Sequence, residues 1–163
     1  MRKPILLVED EEHDVLFMQL AMEEAGVKNH LAVVRDGREA IGYLKGEGKF
    51  ANRKEFPVPG LVLLDLRLPH VPGMDVLKWI RTQPPFAQLP VIVYSSSDQD
   101  SDVESAYLLG ANAYLVKTSH AGERVEIVGR IKRYWLDRNG PAEDCQDWLS
   151  MNALRLPQGR HAQ

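Results

Sequence analysis

Two acidic clusters stand where apolar runs stop. Ile5-Leu6-Leu7-Val8 gives way to Glu9-Asp10, and Leu61-Val62-Leu63-Leu64 gives way to Asp65. An uninterrupted apolar run of this kind reads as a strand buried on both faces. A carboxylate just past its end emerges at the rim of a parallel sheet, where α/β proteins bind ligands. If the two strands are neighbours, three carboxylates converge at one rim. Their repulsion makes at least one hold its proton more tightly unless a cation sits among the oxygens. The chemistry within reach is therefore divalent-cation binding.

Those side chains need a scaffold, and the hydrophobic pattern supplies one. After Ile5–Val8 the spacing predicts a helix from Asp14 to Ala25, with Val15, Met18, Met22 and Ala25 inward and Gly26 as the stop. His30–Val34 reads as a second strand. Asp36-Gly37-Arg38-Glu39 has the form of a capping box opening a helix to Lys45, and Gly46 ends it. Gly46 to Gly60 reads as a long loop, unusual in a compact domain. Leu61–Leu64 is the third strand. A helix from Gly73 to Arg81 follows, with Val76, Leu77 and Ile80 inward, until Pro84-Pro85 breaks it. Val91–Tyr94 is the fourth strand. Ser101-Asp102-Val103-Glu104 has the form of a second capping box, for a helix reaching Leu109. Ala113–Val116 is the fifth strand, and Glu123 to Leu136 the last helix, with Val128, Ile131 and Trp135 on one face. Five strands alternating with five helices imply a parallel sheet covered on both faces.

Composition fits this picture. With 163 residues, 44% of them hydrophobic, the chain suits one α/β domain with an ordinary core. A net charge of -3 gives no general reason to expect nucleic acid as a partner. Cys145 is the only cysteine, so no internal disulfide framework exists. No apolar stretch approaches the roughly 20 residues that span a bilayer, so no membrane is expected and the cytoplasm is the expected compartment. Asn139-Gly140-Pro141 marks a boundary. The expected division is a domain over 1–140 and a C-terminal tail over 141–163, with a short amphipathic stretch from Cys145 to Leu154 and no output domain.

Over roughly residues 3–138 the chain resembles the receiver domain of two-component response regulators. The matching residues are Glu9-Asp10, Asp65, Ser95 after the fourth strand, Lys117 after the fifth, Leu68-Pro69 with Gly73, and Tyr114. Any one alone is ordinary; together and in this order they are specific. The resemblance implies a flavodoxin-like (βα)5 doubly wound parallel sheet with strand order 2-1-3-4-5. It implies Asp65 as phosphoacceptor, and Mg²⁺ held by Asp10 and Asp65 directly, by Glu9 through a water and by the backbone carbonyl of Arg67. Lys117 would face the phosphoryl oxygens. Ser95 would be the switch hydroxyl and Tyr114 the switch aromatic, rotating inward on phosphorylation. Asp102, Glu104, Arg130 and Lys132 would lie on the surface that reports the change.

The implied partner is a sensor histidine kinase. The long loop and the aromatic late helix (Tyr134, Trp135) are similar to single-domain regulators serving phytochrome-type kinases. A homodimer through the fourth helix, fifth strand and fifth helix is a further implication. The chain is expected to be a phosphoacceptor rather than an enzyme, with self-catalysed phosphorylation and dephosphorylation. The alternatives are a phosphorelay intermediate, a phosphate sink, a pseudo-receiver that only binds partners, an aspartyl phosphohydrolase and a flavin binder. Arg67, where such a phosphohydrolase has a second acid, argues against that enzyme. One departure from the family pattern stands out. Thr118 follows Lys117 where proline is usual, and a cis bond there would cost about 2.5–4 kcal/mol, so a trans bond is expected.

Overall fold

The computed structural model describes residues 2–137 and the backbone of 154–155. Five parallel strands, β1 (Ile5–Val8), β2 (Leu31–Val34), β3 (Leu61–Leu64), β4 (Val91–Ser95) and β5 (Ala113–Val116), lie in the order β2-β1-β3-β4-β5. Five helices connect and follow them: α1 (Glu12–Glu24), α2 (Gly37–Lys45), α3 (Gly73–Thr82), α4 (Asp100–Leu108) and α5 (Ala121–Ile131). This is the flavodoxin-like order expected.

One strand was not expected. β6 (Leu154–Arg155) pairs antiparallel with β5, aligning Leu115 with Leu154 and Tyr114 with Arg155. The expected amphipathic stretch in the tail otherwise lies outside the described residues, as does the boundary at Asn139-Gly140-Pro141.

The central strands are apolar throughout because each has helices on both sides. In β3, Val62 and Leu64 enter a core layer with Val76, Leu77 and Ile80 of α3. Leu61 and Leu63 enter the opposite layer, with Val15 and Met18 of α1 and Val128 and Ile131 of α5. Alternation of side chains along a strand makes this two-sided burial possible.

Helix termini follow the sequence reading at the start of α2 and the ends of α1 and α2, whereas α1 and α5 begin at Glu12 and Ala121, two residues before the expected Asp14 and Glu123, and α4 also begins early. Asp36 Oδ1 accepts from the Glu39 N–H at 2.8 Å, and Glu39 Oε2 accepts from the Arg35 N–H at 2.9 Å. The cap is therefore reciprocal, with the return bond one residue earlier than in the standard box. Asp36→Ala should lower stability by about 1 kcal/mol, measured by urea unfolding. Gly26 and Gly46 follow α1 and α2 as expected. At α4, however, Gln99 is the capping position and Ser101 lies inside the first turn. The hydroxyl that contributes here is that of Ser97, which donates to Asp102 Oδ2.

The 46–60 segment is long but built. A 3₁₀ turn, Gly48–Phe50, starts it. Phe50 and Phe56 pack edge-on to each other, and both lie against Tyr43. Arg53 donates to the Tyr43 and Leu44 carbonyls at the end of α2, so its guanidinium closes a helix C-terminus. The expected last helix changes character at its end. Beyond Ile131 it widens into a π-helical turn over Lys132–Leu136, with the Asp137 N–H on the Lys132 carbonyl at 2.7 Å. Among the described residues, no helix is long and apolar enough to cross a membrane.

Candidate functional site

Strand register assembles the site. Val8 aligns with Leu64, so Glu9 and Asp65 leave adjacent strands side by side, and the Asp65 N–H bonds the Val8 carbonyl at 3.1 Å. Ser95 aligns with Val116, and the Lys117 N–H bonds the Ser95 carbonyl at 2.7 Å. All four strand ends open at one rim. Glu9, Asp10 and Asp65 each offer a carboxylate oxygen, and the three lie within 4.8 Å of one another. An all-oxygen, all-anionic donor set of that span suits a hard divalent cation that keeps some of its waters. Such an ion would be held by these three carboxylates.

Lys117 lies across the cluster. Its Nζ donates to Glu9 Oε2 at 2.6 Å, Asp14 Oδ2 at 2.9 Å and Asp65 Oδ2 at 3.1 Å. Burial pushes the Glu9 carboxyl up to about 7 against the Lys117 hydrogen bond, and the Asp65 charge adds to the rise. Burial alone would lower the Lys117 ammonium. Its hydrogen bonds to Glu9 and Asp14 outweigh that, so it holds its proton beyond the usual lysine range. The rim thus pairs one permanent cation with more carboxylates than it can neutralise.

The loop after Asp65 is clamped. The Arg67 N–H donates to Asp65 Oδ1 at 3.3 Å, while its side chain is exposed. The Gly73 N–H bonds the Leu66 carbonyl at 3.0 Å. Between them, His70 stands at φ 67° in a three-residue turn closed by the Val71 N–H on the Pro69 carbonyl at 2.8 Å. Strained backbone of this kind persists only where its surroundings hold it, and it concentrates at functional sites. Two glycines provide the hold. A Cβ at Gly73 would lie 2.2 Å from the Asp65 carbonyl oxygen, and one at Gly37 would lie 2.3 Å from that of Val71.

On the β4 side, Ser95 is fully buried and its Oγ accepts from the Ser97 N–H at 3.2 Å. Tyr114 is also fully buried, its hydroxyl donating to the Ser97 carbonyl at 2.8 Å. The ring is therefore already inward. Asp102 is not a solvated surface charge, since it takes the Ser97 hydroxyl. After Lys117 the chain continues in trans, as no cis peptide bond occurs among the described residues.

The profile of the response regulator receiver domain matches residues 5–129. The chain belongs to the response regulator receiver family. Among its curated relatives is the response regulator Rcp1 of Synechocystis sp., 35% identical over 135 residues, 83% of this chain and 90% of that one. Among solved structures, the phosphorylated cyanobacterial phytochrome response regulator RcpA is 36% identical with a TM-score of 0.78, covering 87% of this chain and all of that one. The Mn²⁺-bound form of Rcp1 is 34% identical with a TM-score of 0.74, covering 83% and 95%.

In this receiver the residues singled out from sequence fall at one rim: Glu9, Asp10, Asp65, Arg67, Ser95 and Lys117, with Tyr114 beneath the β4–α4 loop. Sequence reasoning missed Asp14, which reaches Lys117 from the first turn of α1. A signal existed, since Asp14 closes the acid-rich run that starts at Glu9 and opens α1. It also missed Ser97, the meeting point of Ser95, Asp102 and Tyr114.

Proposed function

We propose that this receiver accepts a phosphoryl group on Asp65 from a sensor histidine kinase, in a Mg²⁺-dependent reaction, and signals through protein contacts. The observation that carries the reading is the convergence of Asp65, the Glu9-Asp10 pair and the Lys117 ammonium, 3.1 Å from Asp65 Oδ2. An Asp65 oxygen forms the new bond to phosphorus. The bond from phosphorus to the donor's imidazole nitrogen breaks, and that nitrogen leaves with the electron pair. Lys117 faces the phosphoryl oxygens with a fixed charge, and Ser95 turns its hydroxyl toward them. Mg²⁺, held by Glu9, Asp10, Asp65 and the Arg67 carbonyl, would supply positive charge against those oxygens. The chain is read as a phosphoacceptor, not an enzyme turning over a free substrate.

A phytochrome-type kinase is supported by RcpA, the cyanobacterial phytochrome response regulator, whose similarity to this chain runs over its whole length. Beside the rim, α1 leaves Leu16 and Leu20 half exposed, with the more covered Phe17 between them under the Arg124 guanidinium, an apolar stripe suited to a partner helix. Self-association through α4, β5 and α5 is proposed to use helix faces, because the β5 edge is paired with β6. The test is transfer from a radiolabelled phytochrome-type kinase compared with an unrelated kinase. Equal transfer from both would remove the phytochrome assignment.

A pH dependence follows from Glu9. Its folded pKa of about 7 lies above the ordinary 4.5, so in the metal-free chain its contribution to stability is full at low pH and is lost as pH rises through 7. Cation binding needs the ionised form and so runs the other way. Mg²⁺ affinity should be about tenfold weaker at pH 6 than at pH 8, by titration calorimetry, with proton release growing below pH 7.

A further inference from the structure

Lys117 has three N–H donors, and three carboxylates take them up. Two of these acceptors have a second duty. Glu9 and Asp65 belong, with Asp10, to the group of oxygens that could hold a divalent ion. Asp14 does not. It comes from the first turn of α1, and its side chain is only partly exposed. Its other ionic neighbour, His13 Nε2 at 3.9 Å, is largely solvent-exposed and therefore a weak rival for the carboxylate.

A lysine ammonium is a point charge on a flexible stem, and its resting place depends on its acceptors. Without Asp14, its whole charge would fall on Glu9 and Asp65, among the oxygens a cation requires. With Asp14, one acceptor draws it toward α1. We infer that Asp14 is a positioning residue for Lys117, sharing the ammonium with Glu9 and Asp65 so that less of its charge bears on the oxygens a Mg²⁺ ion would use. This deepens the phosphoacceptor reading above and rests on it. A first-turn aspartate can also act simply by complementing the helix dipole, but that role does not involve Lys117.

The test is a double-mutant cycle on the Mg²⁺ affinity of the full chain, measured by titration calorimetry for wild type, Asp14→Asn, Lys117→Ala and the double variant. With Lys117 present, Asp14→Asn should weaken Mg²⁺ binding about fivefold; with Lys117→Ala in place, the same change should weaken it less than about twofold. Equal weakening in both backgrounds overturns the proposal, because Asp14 would then act on the ion by its own charge. No weakening in either background overturns it as well. A wild-type chain that binds no Mg²⁺ overturns the phosphoacceptor reading, and Asp14's role with it. The two failures are distinct, since Asp14's role can fail alone only where the wild type binds. The unfolding midpoint of Asp14→Asn reports any purely helical contribution and leaves the coupling untouched.

Discussion

Asp65→Asn should take up no phosphoryl group. Incubated with Mg²⁺ and a small acyl phosphate, the wild-type chain should gain the mass of one phosphoryl group, and the variant should stay at its starting mass. The substitution keeps the shape of the side chain and replaces the nucleophilic carboxylate with an amide, which does not attack phosphorus at a useful rate. The fold should survive. Asp65 is one of three carboxylates around a single ammonium, so neutralising it also removes repulsion from Glu9 and Asp10. The metal-free variant should therefore unfold at or above the wild-type midpoint. A phosphoryl gain on the asparagine variant would place the acceptor elsewhere and defeat the assignment.

The second large effect is structural and reaches the same residue. Gly73→Ala should lower stability by about 3 kcal/mol, a fall in Tm on the order of 10 °C. An added Cβ would meet the Asp65 carbonyl oxygen at 2.2 Å and the Leu66 Cα at 2.7 Å, both backbone atoms that cannot swing aside. Relief requires the β3–α3 loop to withdraw, and Asp65 moves with it. Phosphoryl uptake should therefore slow together with the loss of stability. Gly129→Ala in α5 is the control. Nothing among the described residues lies within 4 Å of its new Cβ, so the gain in helix propensity should raise stability by about 0.5–1 kcal/mol. If Gly73→Ala behaves like Gly129→Ala, the close approach at Asp65 is not a constraint.

Strands β1, β3 and β5 were legible to the residue, because burial on both faces demands continuous apolar runs and the polar residues that end them are abrupt. The same abruptness exposed Glu9, Asp10 and Asp65, while Lys117 was marked only by the family resemblance. What was not legible depends on contacts between distant segments. Ser101 to Glu104 has the local form of a capping box, yet the cap and the start of α4 both come two residues earlier, and Asp102 is engaged by Ser97. Asp14 could be placed near the rim but not on Lys117 without knowing where α1 starts. The 46–60 segment has the Gly and Pro content of an open loop, while its order comes from Phe50, Phe56 and Arg53 docking on α2. Leu154–Arg155 is too short to announce a strand, and only the free edge of β5 makes it one.

The seating of Tyr114 bears on how the message leaves the molecule. In the expected sequence of events, phosphorylation at the rim draws this phenol in from outside. Here its berth is occupied in advance and its hydroxyl is already tied to the Ser97 carbonyl. Little aromatic travel is left to trigger. If Asp65 is the phosphoacceptor, as proposed, a displacement open to the new phosphate is that of the Ser95 hydroxyl, whose Oγ now accepts from the Ser97 amide. A listener tuned to this protein would then sense the peptide chain around Ser97 rather than the orientation of a ring.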